Sequence, residues 1–150
     1  MIKNDVVNFI NESPTAFNAV DNLKKELVNN NFIELLEKEK FNLKKGNKYF
    51  ITRNDSCIIA FKIGKDVNND YSFKIVASHA DSPCFKIKPN YKNKQDIYNK
   101  INIEPYGGMI VSTWLDRPLS VAGRIIIKQD NQIVSKIINI KKPILMIPNM

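Results

Sequence analysis

The residues best suited to chemistry in this chain are a histidine and an aspartate two positions apart. His79 is the single histidine among the 150 residues, and Asp81 follows it just before Pro83. A histidine can bind a metal ion through one ring nitrogen while a nearby carboxylate orients the ring through the other. A hydrogen-bonded structural histidine is the alternative interpretation at this spacing. Because there is one histidine, a cluster of histidine ligands within the chain is excluded.

The segment before His79 predicts where this pair lies. Residues 73–77 (FKIVA) have the composition of a buried strand, and Pro83 follows as a strand terminator. Side chains at the C-terminal ends of strands line the ligand crevice of open α/β sheets. The sequence therefore predicts that His79 and Asp81 lie at such a crevice.

The basic charge of the chain has two explanations. Lys and Arg number 23 against 15 Asp and Glu, a formal net charge of +8, and such a balance can attract nucleic acids or anionic membranes. However, 20 of the basic residues are lysine, and Lys, Asn and Ile share A/T-rich codons, so coding bias explains the excess equally well. The sequence has no basic helix and no run of basic residues interleaved with aromatics. We expect no nucleic-acid partner and no membrane partner.

The cellular compartment is predicted from the cysteines and the first residues. Cys57 and Cys84 are too few and too far apart for a disulfide framework, so a reduced chain is expected. The first residues lack the charged, apolar and small regions of an export signal, and no apolar run approaches the roughly 18–20 residues of a membrane span. These features predict a cytoplasmic protein.

Helices are predicted only before residue 46. Ser13 and Pro14 predict an N-cap and a first helical residue. Apolar residues then recur at helical spacing and predict a stripe that faces the core: Ala16, Val20, Leu23 and Leu27. Asparagines at positions 29–31 end this helix, and a short helix over residues 6–10 precedes it.

Strands are predicted from residue 48 onward, with no further helical periodicity. Segments rich in β-branched and aromatic residues, bounded by turn formers, cover 49–52, 57–63, 73–77, 85–88, 124–128 and 133–140. The last two flank a polar turn at 129–132 and predict a hairpin. The polar stretch 90–100 predicts a loop.

Six stretches occur in one order along the chain: FINESPTAFNAV (9–20), SCIIAFKIG (56–64), SHADSPCFKIK (78–88), YGG (106–108), STWLDRPLSVAGR (112–124) and PILMIP (143–148). Together they resemble the M18 family of aminopeptidases, which includes aspartyl aminopeptidase. An ordered series of this kind is far more specific than one His-x-Asp match.

The resemblance implies a two-zinc exopeptidase that hydrolyses the N-terminal residue of peptides, with acidic residues as one candidate preference. His79 would be a zinc ligand, and Asp81 would be the catalytic-site carboxylate that orients and polarises its imidazole. Ligand type alone does not fix the metal, so other divalent ions are possible. In the family, further acidic ligands, a general-base glutamate and a second histidine come from a later segment. The 150 residues alone are therefore expected to be inactive.

The resemblance also implies the fold class and the assembly. It predicts an α/β protein, with the first part of a zinc-exopeptidase-like catalytic domain over 1–82 and the beginning of an inserted β-rich dimerisation domain over 83–150. The chain would be the N-terminal third of a larger enzyme that forms a dimer-based, dodecameric homo-oligomer. One continuous α+β domain is the alternative architecture.

Trp114, Asp116 and Arg117 form a second candidate site, for a metal ion or a substrate carboxylate. In the family this stretch belongs to the inserted domain, so an ion-pair or interface role is preferred for Asp116. Gly107 and Gly108 predict a tight turn or a close backbone approach.

Four positions depart from the family pattern. They are Asn18 where histidine is usual, Ala80 for threonine, Met109 for glycine and Pro118 for an acidic residue. None removes His79, but together they leave the preference for acidic N-terminal residues open. A peptidase-like scaffold or binding protein that has lost catalysis is the alternative function.

Overall fold

The computed structural model describes residues 2–67, 72–93 and 99–149, and the chain divides into two compact units. Unit 1 comprises Met1–Asp81 and Ala122–Ile140, and unit 2 comprises Ser82–Val121 and Lys141–Met150. The division into a catalytic domain and an inserted domain at residues 82 and 83 concerns a complete enzyme and stays a prediction.

Two helices open unit 1: the one that the apolar spacing predicts, and an earlier one that is longer than the predicted short helix over residues 6–10. Helix α1 covers Ile2–Glu12 and helix α2 covers Ala16–Asn29. The N–H of Asn30 donates to carbonyl oxygens of the last turn of α2, and Asn31 follows in the left-handed region with φ 63°. The predicted end of α2 at the asparagines is therefore confirmed. Neither described helix is long and apolar enough to span a membrane.

The start of α2 differs from the prediction by two positions. Thr15 is the N-cap: its backbone is extended, and its Oγ1 accepts the N–H of Asn18 at 3.4 Å. The prediction that Ser13 caps the helix, with Pro14 as the first helical residue, is wrong. The hydroxyl of Ser13 instead accepts a hydrogen bond from Asn22 Nδ2 at 3.1 Å. Ser13 and Thr15 flank Pro14, and both are residue types that cap helices. Ser13 is engaged by the contact from Asn22, and Thr15 is the cap.

A three-stranded sheet follows in unit 1. Strands β1 (Ile33–Glu34), β2 (Lys48–Arg53) and β3 (Cys57–Lys62) are hydrogen-bonded in the order β1-β2-β3. β1 is parallel to β2, and β2 is antiparallel to β3. Asn54 and Asp55 form the β2–β3 turn in the left-handed region, which these residue types tolerate. The two strands predicted here from composition are confirmed.

The core of unit 1 lies between α2 and this sheet. Tyr49 and Phe50 on β2 are fully buried, and Val20 on α2 is buried with them. The other members of the predicted helical stripe are only half-buried: Ala16, Leu23 and Leu27. The described part of the chain thus has a small core, with a few large side chains at its centre.

The remaining strands form two pairs. β4 (Cys84–Asn93) is antiparallel to β5 (Lys100–Tyr106), and a 3₁₀ helix covers Val111–Trp114. β6 (Leu119–Gln129) pairs with β7 (Gln132–Leu145), and both strands contribute residues to both units. The predicted loop over 90–100 is wrong at its ends, where the two strands of the first pair extend into it. Residues 94–98 lie outside the described residues.

The predicted hairpin at the second pair is confirmed. Asp130 and Asn131 connect β6 to β7, and both have positive φ, 48° and 63°. Two-residue hairpin turns of this kind need left-handed backbone at both positions, which Asp and Asn adopt readily. The turn residues therefore fix the register of this hairpin locally.

One predicted core strand is not formed. Residues 72–83 are neither helix nor strand, although 73–77 were expected to be a buried strand. Ile75 and Val76 are 82% and 99% exposed. A strand needs a neighbour for its backbone hydrogen bonds, and no strand of the described residues pairs with this segment. Its composition favours a strand, but the described residues supply no neighbour for it.

Candidate functional site

The structure brings His79 and Asp81 together. Nδ1 of His79 lies 2.9 Å from the backbone carbonyl oxygen of Asp81 and 3.1 Å from its carboxylate Oδ1. The His79 side chain is 82% exposed, whereas that of Asp81 is partly covered. The aspartate therefore reaches the ring nitrogen that the metal-site hypothesis assigns to it.

The partners of Nδ1 determine the tautomer of a neutral His79 ring. A backbone carbonyl oxygen can only accept a hydrogen bond, so Nδ1 carries the proton and donates it to Asp81. In the neutral ring, Nε2 then holds the lone pair. An exposed imidazole with its lone pair on Nε2 and a carboxylate behind Nδ1 has the donor chemistry of a zinc ligand.

The rest of a metal centre is not found within the described residues. No group of three or more His, Cys, Asp and Glu side chains in this part of the chain could hold a metal ion. Cys57 is exposed on β3 and Cys84 is half-buried at the start of β4. Since a zinc site usually has three or four protein ligands, the described residues do not form a complete zinc site by themselves.

Asp116 and Arg117 of the second candidate site form hydrogen bonds with backbone groups of unit 2. Asp116 has φ 52°, its N–H donates to the carbonyl of Ile147 at 2.8 Å, and its Oδ1 accepts the N–H of Asn149 at 2.9 Å. Arg117 Nη1 donates to the carbonyl of Thr113 at 3.1 Å. Asp116 therefore fixes the chain near residue 148. We assign it a structural role; the predicted ion-pair or interface role has no support in these contacts.

Trp114 and Gly107 also have structural roles in unit 2. The Trp114 ring packs edge-on against Phe85, with ring centroids 5.6 Å apart. Gly107 has φ 73°, and an added Cβ would lie 3.4 Å from Pro83. Gly107 lies in a bend where positive φ favours glycine, and its approach to Pro83 agrees with the second predicted alternative, a close backbone approach.

Asn18, the first departure from the family pattern, is a packing residue. Its side chain is buried, its Oδ1 accepts the hydroxyl of Thr15 at 2.6 Å, and its Nδ2 donates to the carbonyl of Ile138 at 3.4 Å. These contacts connect α2 to β7 within unit 1. The departure from the family pattern at Asn18 therefore concerns the contact between α2 and β7.

Arg124 makes several contacts with residues distant in sequence, which residue spacing did not predict. Its guanidinium donates to the carbonyl of Asn54 at 2.8 Å and stacks 4.6 Å from the ring centroid of Phe17. Asp55 Oδ2 lies 3.5 Å from the same guanidinium and accepts the hydroxyl of Ser135 at 3.4 Å. The rarity of arginine in a lysine-rich chain was the available signal, since a planar guanidinium makes several contacts that an ammonium cannot.

The third arginine perturbs a carboxylate on the surface. Nε of Arg53 donates to Glu37 Oε2 at 3.1 Å, and the two groups form an exposed ion pair. The side-chain hydrogen bond from Arg53 lowers the pKa of Glu37, and the same bond raises the pKa of Arg53.

Comparison with known proteins identifies the family to which the chain belongs. The family described as aminopeptidase I zinc metalloprotease (M18) matches residues 9–150. A probable M18 family aminopeptidase 2 of Clostridium novyi is 49% identical over 98% of this chain and 35% of its own length. A probable aspartyl aminopeptidase of Ricinus communis is 39% identical over 99% of this chain and 31% of its own length.

Solved structures agree with the sequence comparison. A chain in a cryo-EM structure of the Ape4 and Nbr1 complex superimposes with a TM-score of 0.92 at 39% identity, over 97% of this chain and 28% of that one. The mApe1 dodecamer of Saccharomyces cerevisiae gives 0.90 at 29% identity, over 99% and 36%. The chain thus spans about a third of the length of the relatives that it matches.

Proposed function

Because this chain belongs to the M18 family of zinc metalloproteases, we propose that it supplies one metal ligand and the carboxylate behind it to a zinc aminopeptidase. The observation that carries the proposal is the contact between His79 Nδ1 and Asp81, which leaves the lone pair of the ring on Nε2. This pair lies within the stretch that the family matches, residues 9–150.

In this proposal His79 binds zinc through Nε2. An exposed ring needs no rearrangement of the chain's own core to reach a metal ion, since His79 is 82% exposed. The role of Asp81 is to hold Nδ1–H, which fixes the tautomer and the ring plane and makes Nε2 a stronger donor. Asp81 therefore acts on the reaction through His79.

His79 and further ligands would hold the zinc, which when bound would supply Lewis-acid polarisation of the scissile carbonyl and a nucleophilic water near neutral pH. We propose that the complete centre holds two zinc ions and that its other ligands lie outside the described residues. A zinc ion held by His79 alone would lack the usual three or four protein ligands. The 150-residue chain by itself is accordingly expected to be inactive.

The proposed substrates are peptides with an unblocked N-terminus, and the proposed preference is for acidic N-terminal residues. The name of the Ricinus communis relative, a probable aspartyl aminopeptidase, supports this preference.

The proposal includes an assembly and an architecture. A homo-oligomer built from dimers is supported by the similarity to an mApe1 dodecamer. Residues 1–82 would form the first part of the catalytic domain, and residues 83–150 would begin an inserted β-rich domain that carries dimer contacts. Apolar side chains of unit 2 are exposed, such as Ile110 and Ile144, and such faces commonly mark interfaces. The proposed compartment is the cytoplasm.

Hydrolysis assays of the complete gene product test this function. Aspartyl- and leucyl-p-nitroanilide are offered before dialysis against a chelator, after it, and after zinc is restored. The proposal predicts that activity disappears with the chelator and returns with zinc. It also predicts a kcat/KM for the aspartyl substrate that is higher by about tenfold or more, because a site that pairs a charged group discriminates strongly against substrates without it. Activity that survives chelation would contradict the metal centre. A protein that hydrolyses neither substrate would favour the alternative function, a peptidase-like scaffold that has lost catalysis.

A further inference from the structure

We propose that one face of the β4–β5 sheet in unit 2 binds an extended acidic peptide segment. This face, which we call the lysine face, is formed by four exposed residues: Lys86, Lys88, Glu104 and Tyr106. Binding at the lysine face needs no zinc, and it would be a second property of the protein beside the proposed hydrolysis.

Strand alternation separates the two faces of β4. Lys86 and Lys88 are two positions apart and therefore lie on one face, whereas Phe85 lies on the other. Phe85 is half-buried, and its ring packs edge-on against Trp114 with the centroids 5.6 Å apart. The face that carries Phe85 thus packs within unit 2, and the two lysines are exposed on the opposite face.

The described residues leave both lysine charges without an ion pair. Glu104 lies directly opposite Lys86 in the strand register, yet the ammonium of Lys86 lies 3.3 Å from the ring centroid of Tyr106. No carboxylate in the described part of the chain forms an ion pair with Lys86 or Lys88. A cation–π contact orients an ammonium without neutralising it, so both positive charges remain open to an anionic partner.

The charge of unit 2 has a cause besides coding bias. Unit 2 comprises 50 of the 150 residues and holds 8 of the 23 lysines and arginines, but only 3 of the 15 aspartates and glutamates. A coding bias toward lysine acts on the whole chain, so it does not explain why acidic residues are scarce in one unit. The positive charge of unit 2 therefore comes from this scarcity, and such a local charge attracts anionic partners.

The spacing of the two lysines fits an extended polypeptide. Alternate residues of a strand are about 6.6 Å apart, and alternate side chains of an extended peptide have the same spacing. A peptide with a carboxylate at every second position would place one opposite Lys86 and the next opposite Lys88. Single-stranded nucleic acids bind largely by stacking their bases on aromatic rings, whereas the Lys86 ammonium covers one side of the Tyr106 ring. These observations favour an acidic peptide over a nucleic acid.

Fluorescence anisotropy of the complete gene product tests this binding with two labelled peptides of equal length and composition. One peptide carries four glutamates at every second position, and the other carries four glutamates at every third position, which places neighbouring glutamates on opposite faces. We expect the first peptide to bind about threefold more tightly, because two of its carboxylates pair with the lysines at once. Both affinities should fall as the salt concentration rises from about 50 mM to about 300 mM.

Two conditions keep the result independent of the proposed zinc centre. The N-termini of both peptides are blocked, so an aminopeptidase cannot hydrolyse them, and a chelator is present throughout. Binding under these conditions would therefore support the lysine face even if the complete gene product proved to be inactive. Hydrolysis without any binding of the blocked peptides would contradict the lysine face and leave the proposed function intact.

A matched pair of double variants locates the contact. Lys86→Gln with Lys88→Gln should weaken binding of the first peptide about fivefold, because two ion pairs are lost, and should abolish its advantage over the second. Lys44→Gln with Lys45→Gln is the control, since it removes two exposed lysines of unit 1 and the same net charge. The control should leave the affinity of both peptides unchanged.

Three results would overturn the proposal. These are the absence of binding at low salt, equal affinity of the wild type for the two peptides, and equal weakening by the two double variants. Tighter binding of oligouridylate or of phosphatidylserine vesicles that is lost in the Lys86→Gln and Lys88→Gln variant would assign the face to a nucleic acid or to a membrane. Either assignment would also overturn the proposal.

Discussion

The guanidinium of Arg124 donates to the backbone carbonyl of Asn54 at 2.8 Å, although 70 residues separate them. This contact attaches the β6–β7 hairpin to the β2–β3 turn within unit 1. The stacking of the same guanidinium on Phe17 adds α2 to the attachment. Arg124 therefore joins three parts of unit 1 that are distant in sequence.

Substitution of Arg124 tests this attachment. Arg124→Ala should lower the free energy of unfolding by about 2 kcal/mol, because the hydrogen bond and the cation–π contact are both lost. Arg124→Lys should lower it by about 1 kcal/mol, since an ammonium cannot reproduce the planar contacts. Urea unfolding measures both variants. Lys128→Ala, in the same strand, is the control, and equal stability of Arg124→Ala and Lys128→Ala would contradict the role of Arg124.

The hydrogen bonds of Asp116 to Ile147 and Asn149 lead to a prediction for unit 2. Asp116→Asn should cost less than about 0.5 kcal/mol, because asparagine keeps an acceptor oxygen and tolerates left-handed backbone. Asp116→Ala should cost about 2 kcal/mol, from the lost hydrogen bond to Asn149 and the strain of alanine at positive φ. Denaturant unfolding gives the values, and faster exchange of the Asn149 amide in the alanine variant gives the cause.

A second left-handed aspartate separates the two contributions at Asp116. Asp130 has φ 48°, so Asp130→Ala carries the backbone strain without the contact to Asn149. We expect it to cost about 1 kcal/mol. If Asp116→Ala cost no more than Asp130→Ala, the hydrogen bond to Asn149 would contribute nothing.

Acid should weaken the contribution of Glu37. Its pKa is lowered in the folded chain, chiefly by the hydrogen bond from Arg53, so its stabilisation is present above its ordinary value of about 4.5 and is lost as the pH falls through the lower folded value. Glu37→Gln should therefore be less stable than the wild type at pH 7, and the difference should shrink below about pH 4.5. Because the pair is exposed, 1 M salt should also reduce the difference.

Thermal unfolding over a series of pH values checks this prediction. Glu39→Gln removes a nearby carboxylate and serves as the control. A difference between Glu37→Gln and the wild type that stays constant from pH 7 to acid would contradict the assigned role of the Arg53 contact.

Asp81 should affect zinc affinity more mildly than His79 does. The backbone carbonyl of Asp81 still accepts from Nδ1 when the side chain is replaced, so Asp81→Ala removes only the contact to Oδ1. Loss of such a supporting carboxylate typically weakens metal affinity by about 10- to 100-fold. Competition with a chromogenic chelator measures this affinity in the complete gene product. Unchanged zinc affinity in Asp81→Ala would contradict the proposed role of Asp81 in supporting His79.

Helix α2 and the hairpin turn could be predicted from the sequence, because each depends on residues that are close together in the chain. Helix α2 follows from its apolar spacing, and the hairpin turn at Asp130 and Asn131 follows from residue types that accept positive φ. The capping residue was misplaced because Ser13 and Thr15 are both capable caps, and a contact from Asn22 decides between them. Contacts at long range in sequence, such as Asn18 to Ile138, leave no local pattern.

The candidate site was predictable in part. The spacing of His79 and Asp81 suggested a metal ligand with its supporting carboxylate, and the structure places Asp81 at Nδ1. The sequence also predicted a buried strand at 73–77, which the described residues do not form. Composition reports the environment that a segment prefers, whereas strand formation depends on a neighbour that composition cannot supply.

Zinc binding by the complete gene product with His79→Ala tests the central claim most directly. Because the side chain is 82% exposed in the 150-residue chain, its removal should leave the thermal stability of that chain unchanged. The account predicts that zinc affinity, measured against a chromogenic chelator, falls by about 100-fold or more and that peptide hydrolysis falls with it. Wild-type zinc affinity together with full hydrolysis that resists a chelator would contradict the assignment of His79 as a zinc ligand.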